Sequence, residues 1–227
     1  MSALAFHPDG RPMAAPYSLV TGHMIDLAEP DFAHLSLNAL LHAISTGLHN
    51  TCRYGGQVHT PYSVATHCIL GADLVDPSPD DNTFTFTFFP ELRDPMRQRV
   101  KLHFLLHDAS EGLGLGDIVF PLKQLLRPLY GPLEDLMMAA IYRRLGLEME
   151  PYLEPFVKEL DVHMLHDEQS SLRGRSVPPG HRKIYNRQDL QQTSLSSRPG
   201  RTWENEFRHA WHRVHGTWLT ETTKESP

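Results

Sequence analysis

The segment Lys101-Leu-His-Phe-Leu-Leu-His-Asp-Ala-Ser-Glu111 combines an apolar run with a cluster of ionisable side chains. At its end His107 stands beside Asp108, and Glu111 follows His107 by four positions. On a helix, residues four apart share a face, so this spacing predicts Glu111 on the same face as His107. Burying such polar groups is costly unless they pair with one another or bind a ligand. The segment therefore predicts a buried functional site at the end of a helix.

Composition places the chain among ordinary globular proteins. Its 227 residues suit one domain, with or without appendages. Apolar residues make up 40% and charged residues 21% of the chain, which is typical of a folded domain. The net charge of −6 argues against a general nucleic-acid-binding protein, because phosphate backbones attract an excess of Lys and Arg. It leaves open a small phosphorylated ligand held by a few local cations.

Cysteine usage and hydropathy indicate the compartment. Cys52 and Cys68 have neither the spacing of a metal motif nor that of a disulfide framework, which favours a reducing interior. The sequence contains no apolar run of about 18 residues and no signal-peptide pattern at its start. We therefore expect a cytoplasmic protein without a membrane partner.

Apolar residues at helical spacing predict an all-α fold with a small extended insertion and a C-terminal helix. Asp31 is predicted to cap the first helix, and Gly131-Pro132 to start the fourth, which Gly146 ends. The predicted helices cover residues 32–49, 61–75, 95–110, 133–145, 152–172 and 203–220. The last is amphipathic, with Trp203, Phe207, Ala210, Trp211, Val214 and Trp218 at three- and four-residue steps. We expect this helix to pack on the domain or on a partner subunit.

Three segments fall outside the helical pattern. Residues 1–30 are rich in Pro, Gly and Ala and are predicted to form an N-terminal arm. Residues 76–95 form an insertion in which Thr83–Phe89 alternates with the period of a strand. The insertion is expected to be a structured part of the surface, although the strand could also form a hairpin, a subunit contact or a flap over a pocket. Residues 174–202 form a long polar and basic loop, which is a solvated linker or touches phosphates.

Four side chains are candidate metal ligands: His67, His107, Asp108 and Asp161. Each lies on a different predicted helix, apart from the adjacent His-Asp pair. Mixed imidazole and carboxylate ligands suit a divalent transition metal such as Mn, Fe, Co or Zn, and less often Mg. The residues alone leave open that His67 is a hydrogen-bonded core histidine.

In the order of its motifs the chain resembles the HD-domain phosphohydrolases. The matching motifs are Tyr62-Ser-Val-Ala-Thr-His67, His107-Asp-Ala-Ser-Glu111, Gly116-Asp-Ile118, Pro121-Leu-Lys123, and Lys158-Glu-Leu-Asp161 with Glu168. Arg53-Tyr-Gly-Gly56 precedes the first motif, as in the phage members of the family. The resemblance extends over roughly residues 20–173 and is nearest to the bacterial 5′-deoxynucleotidases and the phage deoxyadenosine triphosphohydrolases. It implies that residues 31–173 are an HD phosphohydrolase domain.

The resemblance also implies a role for each site residue. His67, His107, Asp108 and Asp161 would bind one divalent ion (Zn, Co, Mn or Mg), with a second Mg possible on the substrate phosphates. Glu111 and Asp117 would position the attacking water and assist proton transfer. Arg53 and Lys123 would contact phosphate, with Tyr54 against the sugar or base. The sequence alone also allows Arg53 to cap the preceding helix, Lys123 to be a surface lysine and Tyr54 to be a packing residue. Glu168 is expected to support the ligands through a hydrogen bond.

The activity implied is metal-dependent hydrolysis of a deoxynucleotide at its α-phosphorus, with dATP as first candidate and deoxynucleoside and triphosphate as products. Hydrolysis of deoxynucleoside monophosphates, or of a signalling nucleotide, is an alternative within the enzyme class. An alternative of another class is a non-catalytic HD module that binds nucleotide and regulates. The expected partners are a small nucleotide and further copies of the chain, and not nucleic acid. For a phage-encoded protein the compartment would be the host cytoplasm.

Overall fold

A computed structural model of the chain describes residues 14–76, 88–89, 91–190 and 202–216. Most of these residues are helical, as predicted. The helices are α1 (Leu37–Asn50), α2 (Val64–Asp73), α3 (Asp94–Leu106), α4 (Phe120–Leu145), α5 (Glu154–Arg173) and α6 (Trp203–His215). Short 3₁₀ helices cover Arg53–Gly56, Ala109–Leu113 and Pro151–Leu153, and residues 187–190 are also helical. The expectation of an all-α fold with a small β element is confirmed.

The β element lies in the segment that was predicted to be an arm. Strands β1 (Pro16–Ser18) and β2 (Met24–Asp26) pair antiparallel, with Tyr17 opposite Ile25. Apolar packing holds this hairpin on the domain, since Leu19 and Ile25 are buried in the common core. The strand predicted over residues 83–89 lies largely outside the described residues. Its last two residues, Phe88 and Phe89, pack edge-to-face on each other, and Phe89 packs in the same way on Phe156.

Two helix starts differ from the prediction because serine hydroxyls cap them. Ser36 caps α1 by accepting a hydrogen bond from the Ala39 backbone N–H at 3.0 Å, so the helix begins after Ser36 and not after Asp31. Ser63 caps α2 by accepting from the Thr66 N–H at 3.2 Å, so Pro61 lies before the helix. In each case the hydroxyl satisfies a backbone donor that the first helical turn leaves free.

Helix α4 is longer than predicted. It begins at Phe120 and continues through Pro128 and Pro132, although Gly131-Pro132 was expected to start it. The backbone φ of proline is compatible with a helix, so the missing N–H groups interrupt the hydrogen bonds without ending it. Gly146 ends the helix in the left-handed conformation, with φ 68°.

Helix α3 ends earlier than predicted, and this changes the setting of the His-Asp pair. The last helical residue is Leu106, His107 is the C-cap, and Asp108 leaves the helical region with φ −108° and ψ 15°. Glu111 therefore lies in the following 3₁₀ turn, and the argument from a shared α-helical face was wrong. A close approach explains the turn: Gly112 lies so near α1 that a Cβ on Gly47 would be 1.8 Å from the Gly112 carbonyl oxygen.

The core is formed by α1, α2 and α3, with α5 packed on α2 and α3 and with α6 packed on all three core helices. Trp203 of α6 is fully buried, and its Nε1–H donates to the Leu105 carbonyl at 2.6 Å. Helix α6 thus supports the end of α3 from which His107 and Asp108 follow. Trp218 lies outside the described residues. Among the helices that the structure describes, none is long and apolar enough to cross a bilayer.

Candidate metal centre

His67 enters the site from α2 with one ring nitrogen already engaged. Its side chain is fully buried, and Nδ1 lies 2.6 Å from Oε1 of Glu168. The carboxylate accepts the Nδ1 proton, so the lone pair of the ring lies on Nε2. A carboxylate behind a histidine is the usual way in which proteins orient a metal-binding imidazole.

His107 has the same arrangement at the end of α3. Its Nδ1 lies 2.6 Å from the Phe104 carbonyl oxygen, which can only accept, so Nδ1 carries a proton. The Nε2 atoms of His67 and His107 then face each other at 3.3 Å. Two lone pairs at that distance repel each other unless a proton or a cation lies between them. The geometry suits either a shared proton or two ligands of one ion.

Two carboxylates complete the group. Asp108 Oδ2 lies 3.2 Å from His107 Nε2, and Asp161 Oδ1, from α5, lies 3.6 Å from His67 Nε2. The other oxygen of Asp161 accepts from Lys158 at 2.7 Å, which leaves Oδ1 directed at the imidazoles. With metal–ligand bonds of about 2.0–2.2 Å, the ligands of one ion lie roughly 3–3.5 Å apart. His67, His107 and Asp161 offer ligand atoms within 4.8 Å of one another and could hold a single divalent cation. Asp108 borders this group, with Oδ2 3.9 Å from His67 Nε2.

The electrostatics of the group suit a cation. Burial favours protonated carboxyls, but His107, His67 and Arg53 outweigh it and lower the pKa of Asp108 well below its usual range. Burial disfavours a charged imidazole, yet contact with Asp108 raises the pKa of His107. A proton and a divalent ion compete for the same His107 lone pair, so metal affinity here will depend on pH.

Cys68 offers a different combination with His107 and Asp108, because its sulfur also lies within ligand range of them. Burial raises the pKa of this thiol to about 11. Metals bind the thiolate and not the thiol. The group of His67, His107 and Asp161 is therefore the better cation site, because the carboxylate of Asp161 is already negatively charged and no thiol has to lose a proton.

Glu111 and Asp117 lie beside the ligands. Glu111 is buried, and its Oε2 has no hydrogen-bond partner among the residues that the structure describes. Burial raises the pKa of Glu111, and the nearby charges of Asp108 and Asp117 raise it further. Asp117 is half-buried, and its Oδ2 accepts from the Tyr54 backbone N–H at 2.8 Å. Glu111 is thus suited to exchanging a proton with a bound ligand.

Arg53 is directed into the site and does not cap α1, whose last turn is bonded by Thr51 instead. Its Nε donates to Glu168 Oε2 at 3.1 Å, and Nη1 lies 3.5 Å from Asp108 Oδ2. The guanidinium is buried and borders the ligand group. An arginine there adds positive charge next to the position of the cation.

Tyr54 and Lys123 contact protein groups more closely than predicted. Tyr54 has a left-handed backbone with φ 61°, which is uncommon for a residue with a side chain. Its hydroxyl donates to Glu168 at 2.5 Å, so only the ring remains for a sugar or base. Lys123 donates to Glu134 at 2.7 Å and lies over the Tyr130 ring. Phosphate would have to compete with Glu134 for Lys123.

Sequence reasoning missed the wall that the N-terminal hairpin adds beside Glu111. A cleft of about 360 Å³ opens there between the hairpin, α1 and the turn after Asp108. Its lining includes Tyr17, Leu19, Ala43, Asn50, Gly112 and Gly116. No ionisable side chain of the arm contributes apart from the Tyr17 phenol, so the sequence carried no chemical signal of this wall.

No protein-family model matches the chain. It is similar to an uncharacterized protein of Rhodobacter capsulatus, with 30% identity over 131 residues, and to the uncharacterized protein YfdR of Escherichia coli, with 32% identity over 133 residues. The alignments cover 57% and 59% of this chain, and 57% and 61% of the two relatives. The chain thus spans less than two thirds of either relative, and neither name states an activity.

Proposed function

We propose that the protein is a metal-dependent phosphohydrolase of the HD-domain type that cleaves a deoxynucleotide at its α-phosphorus. The first candidate substrate is dATP, which would give deoxyadenosine and triphosphate. One observation carries the proposal: the two facing Nε2 atoms of His67 and His107, 3.3 Å apart, with carboxylate oxygens of Asp108 and Asp161 beside them. The motif resemblance described above supports the same assignment.

The four candidate ligands come from three elements, and water and substrate phosphate would complete the coordination of an ion that they held. A divalent cation, when bound, would polarise a phosphoryl oxygen and make water a stronger nucleophile near neutral pH. Because the ligands are two imidazoles and two carboxylates, Mn, Co and Zn fit better than Mg. A second Mg on the phosphates of a triphosphate is part of the proposal.

Glu111 and Asp117 are the proposed acid–base pair. Burial raises the pKa of Glu111, which favours its protonated form, and its Oε2 has no protein partner among the described residues. Glu111 would donate that proton to the leaving oxygen, and Asp117 would orient the attacking water. Asp117 is fixed for this task by the Tyr54 N–H.

Arg53 is the proposed phosphate contact. It is already desolvated and paired, so little side-chain entropy is lost when an anion binds next to it. Lys123 would provide a second cation once it exchanges Glu134 for phosphate. The cleft beside Glu111 would take the sugar and base, and the ring of Tyr54 would be available for a further contact with either.

A regulatory nucleotide-binding module is the alternative. Retention of Glu111 and Asp117 beside a complete ligand set argues against it, because binding alone needs neither acid. Monophosphate hydrolysis and hydrolysis of a signalling nucleotide need the same ligands and remain alternatives within the enzyme class.

Self-association in the cytoplasm is also part of the proposal. Exposed apolar residues on the first half of α4, such as Phe120 and Leu125, would serve as the contact between copies of the chain.

The test is product analysis with purified full-length protein. Each of the four dNTPs and dNMPs is incubated with Mn, Co, Zn or Mg, and nucleoside, phosphate and triphosphate are separated by chromatography. Triphosphate release from dATP supports the first candidate, and phosphate release from a dNMP supports the alternative. Asp108→Asn is expected to lower turnover at least a thousandfold, whereas Asp135→Asn, on the exposed side of α4, serves as the matched control. Nucleotide binding without any turnover would favour the regulatory module.

A further inference from the structure

A second group of imidazole and carboxylate side chains lies where α5 meets the segment after it. His163 and Asp167 are one helical turn apart on α5, and His181 comes from the irregular segment that follows the helix. His181 Nε2 is hydrogen-bonded to Asp167 Oδ1 at 2.7 Å, so an ion would have to replace the proton between them. Asp167 Oδ2 lies 3.7 Å from His163 Nε2. The ligand atoms of all three lie within 4.8 Å of one another.

The polar atom of His163 is the unusual feature. The residue is 9% exposed, and its Nε2 has no hydrogen-bond partner in the part of the chain that the structure describes. A buried ring nitrogen without a partner is costly in a folded protein. It points towards Asp167, whose Oδ2 is too far away for a hydrogen bond, and it lies within 4.8 Å of the ligand atoms of Asp167 and His181.

Asp167 is held in place by the chain that it faces. The carboxylate is fully buried, and its Oδ2 accepts from the backbone N–H groups of Ile184 and Tyr185 at 3.0 and 2.8 Å. These two bonds occupy Oδ2, so Oδ1 is the oxygen that remains for an ion. Tyr185 in turn donates its hydroxyl to the Leu70 carbonyl of α2, so the segment connects α5 with the core.

This group is separate from the first one. Asp161 and Glu168, which belong to the first site, are seven residues apart and share a face of α5. His163 lies two positions from Asp161, which is about 200° around the helix axis. The two groups therefore occupy different faces of the same helix and could bind ions independently.

We propose that His163, Asp167 and His181 bind a second divalent transition-metal ion, which anchors residues 174–185 to α5. Two imidazoles and a carboxylate are a ligand set for Zn or Co, and water would complete the coordination. The ion would satisfy His163 Nε2 and join two segments that are otherwise held by hydrogen bonds. Its role is structural, because the group faces away from the proposed reaction site.

The experiment measures metal binding without nucleotide, in a background that lacks the first site. The parent is the full chain with His107→Ala and Asp108→Asn, titrated with Co²⁺ by visible absorption and checked by equilibrium dialysis. The parent is expected to bind one Co²⁺ per chain, and adding His181→Ala is expected to lower the affinity at least tenfold. His163→Gln gives a second variant in case His181→Ala unfolds, and His59→Ala, on the exposed surface, is the control.

Protection from trypsin provides an independent readout. Zn²⁺ is expected to slow cleavage at Arg175, Arg182 and Lys183 in the parent. In the variant that also carries His163→Gln, Zn²⁺ is expected to leave the rate of cleavage at these positions unchanged. The proposal is overturned if the parent binds no Co²⁺, or if folded His181→Ala and His163→Gln bind it as the parent does. Because the background lacks the first site and no nucleotide is present, the outcome does not depend on the proposed hydrolysis.

Discussion

Glu168 accepts the Nδ1 proton of His67 over 2.6 Å, which leaves His67 Nε2 directed at His107. The second oxygen of Glu168 accepts from the Arg53 guanidinium and the Tyr54 hydroxyl at 3.1 and 2.5 Å. Burial favours a neutral Glu168, but Arg53 and His67 outweigh it and lower its pKa. A single buried carboxylate thus orients a ligand and holds the proposed phosphate contact.

Glu168→Gln tests this arrangement. The amide keeps the shape of the side chain but removes the charge and presents an N–H₂ group to two donors. Loss of such an orienting carboxylate typically lowers metal affinity about 10–100-fold, and we expect a loss in that range. Calorimetric titration of metal-free protein with Mn²⁺ or Zn²⁺ measures it. Glu159→Gln, at an exposed position of the same helix, should bind like wild type. Unchanged affinity in Glu168→Gln would show that the hydrogen bond to His67 is dispensable.

Arg53→Lys separates the two possible roles of Arg53. Lysine keeps the positive charge but cannot reach Glu168 and phosphate together through a planar fork. Hydrogen bonds between charged groups contribute roughly 1.5–3 kcal/mol, so we expect KM for nucleotide to rise about 10–100-fold at saturating metal. Steady-state kinetics and metal titration are compared on the same preparations. If the metal affinity falls and KM stays at the wild-type value, Arg53 acts only by holding Asp108 and Glu168.

The sequence was sufficient to indicate the helical class, and it named the side chains that lie near one another at the candidate cation site. Candidate ligands can be identified from the sequence because a motif is defined by residue types and by their order along the chain. The position of Glu111 could not be obtained in this way, because the end of α3 is set by a contact with α1 that lies far away in sequence. Lys123 illustrates the same limit: its partner Glu134 follows three turns later on a helix that was predicted to start only at residue 133.

Gly47→Ala tests that distant contact. The new methyl group would meet the Gly112 carbonyl oxygen at 1.8 Å, so α1 must move away from the turn after Asp108. Overpacking typically costs about 1–3 kcal/mol, and a backbone obstacle should place this variant at the upper end. Urea unfolding measures the loss. Gly131→Ala is the control, because nothing beyond its chain neighbours lies within 4 Å of the position that its methyl group would take. Pro132 follows it and disfavours a side chain there, so no gain in stability is expected from this change. Equal stability of Gly47→Ala and wild type would contradict the close approach.

His103 provides a dependence on pH away from the proposed cation sites. The ring lies between the Tyr142 hydroxyl, 3.0 Å from Nδ1, and Glu150, 3.0 Å from Nε2. A neutral imidazole satisfies both neighbours, with Nδ1 accepting from Tyr142 and Nε2–H donating to Glu150. Burial lowers the pKa of His103 to about 4, and the nearby charge of Arg99 adds to the effect. Glu150 does little to oppose this, because its charge is already paired with Arg99.

The folded protein therefore holds His103 neutral at a pH where the unfolded chain, with a pKa near 6.5, takes up a proton. Since the unfolded state binds more protons, stability falls as pH decreases from about 6.5 to 4, by on the order of 2–3 kcal/mol. His103→Gln removes the titration, so its free energy of unfolding should be lower than that of wild type at pH 7 and should approach it towards pH 4. Urea unfolding across this range measures the difference, with His42→Gln at an exposed position of α1 as control. A constant difference between wild type and His103→Gln at every pH would mean that the ring is protonated in the folded protein, paired with Glu150.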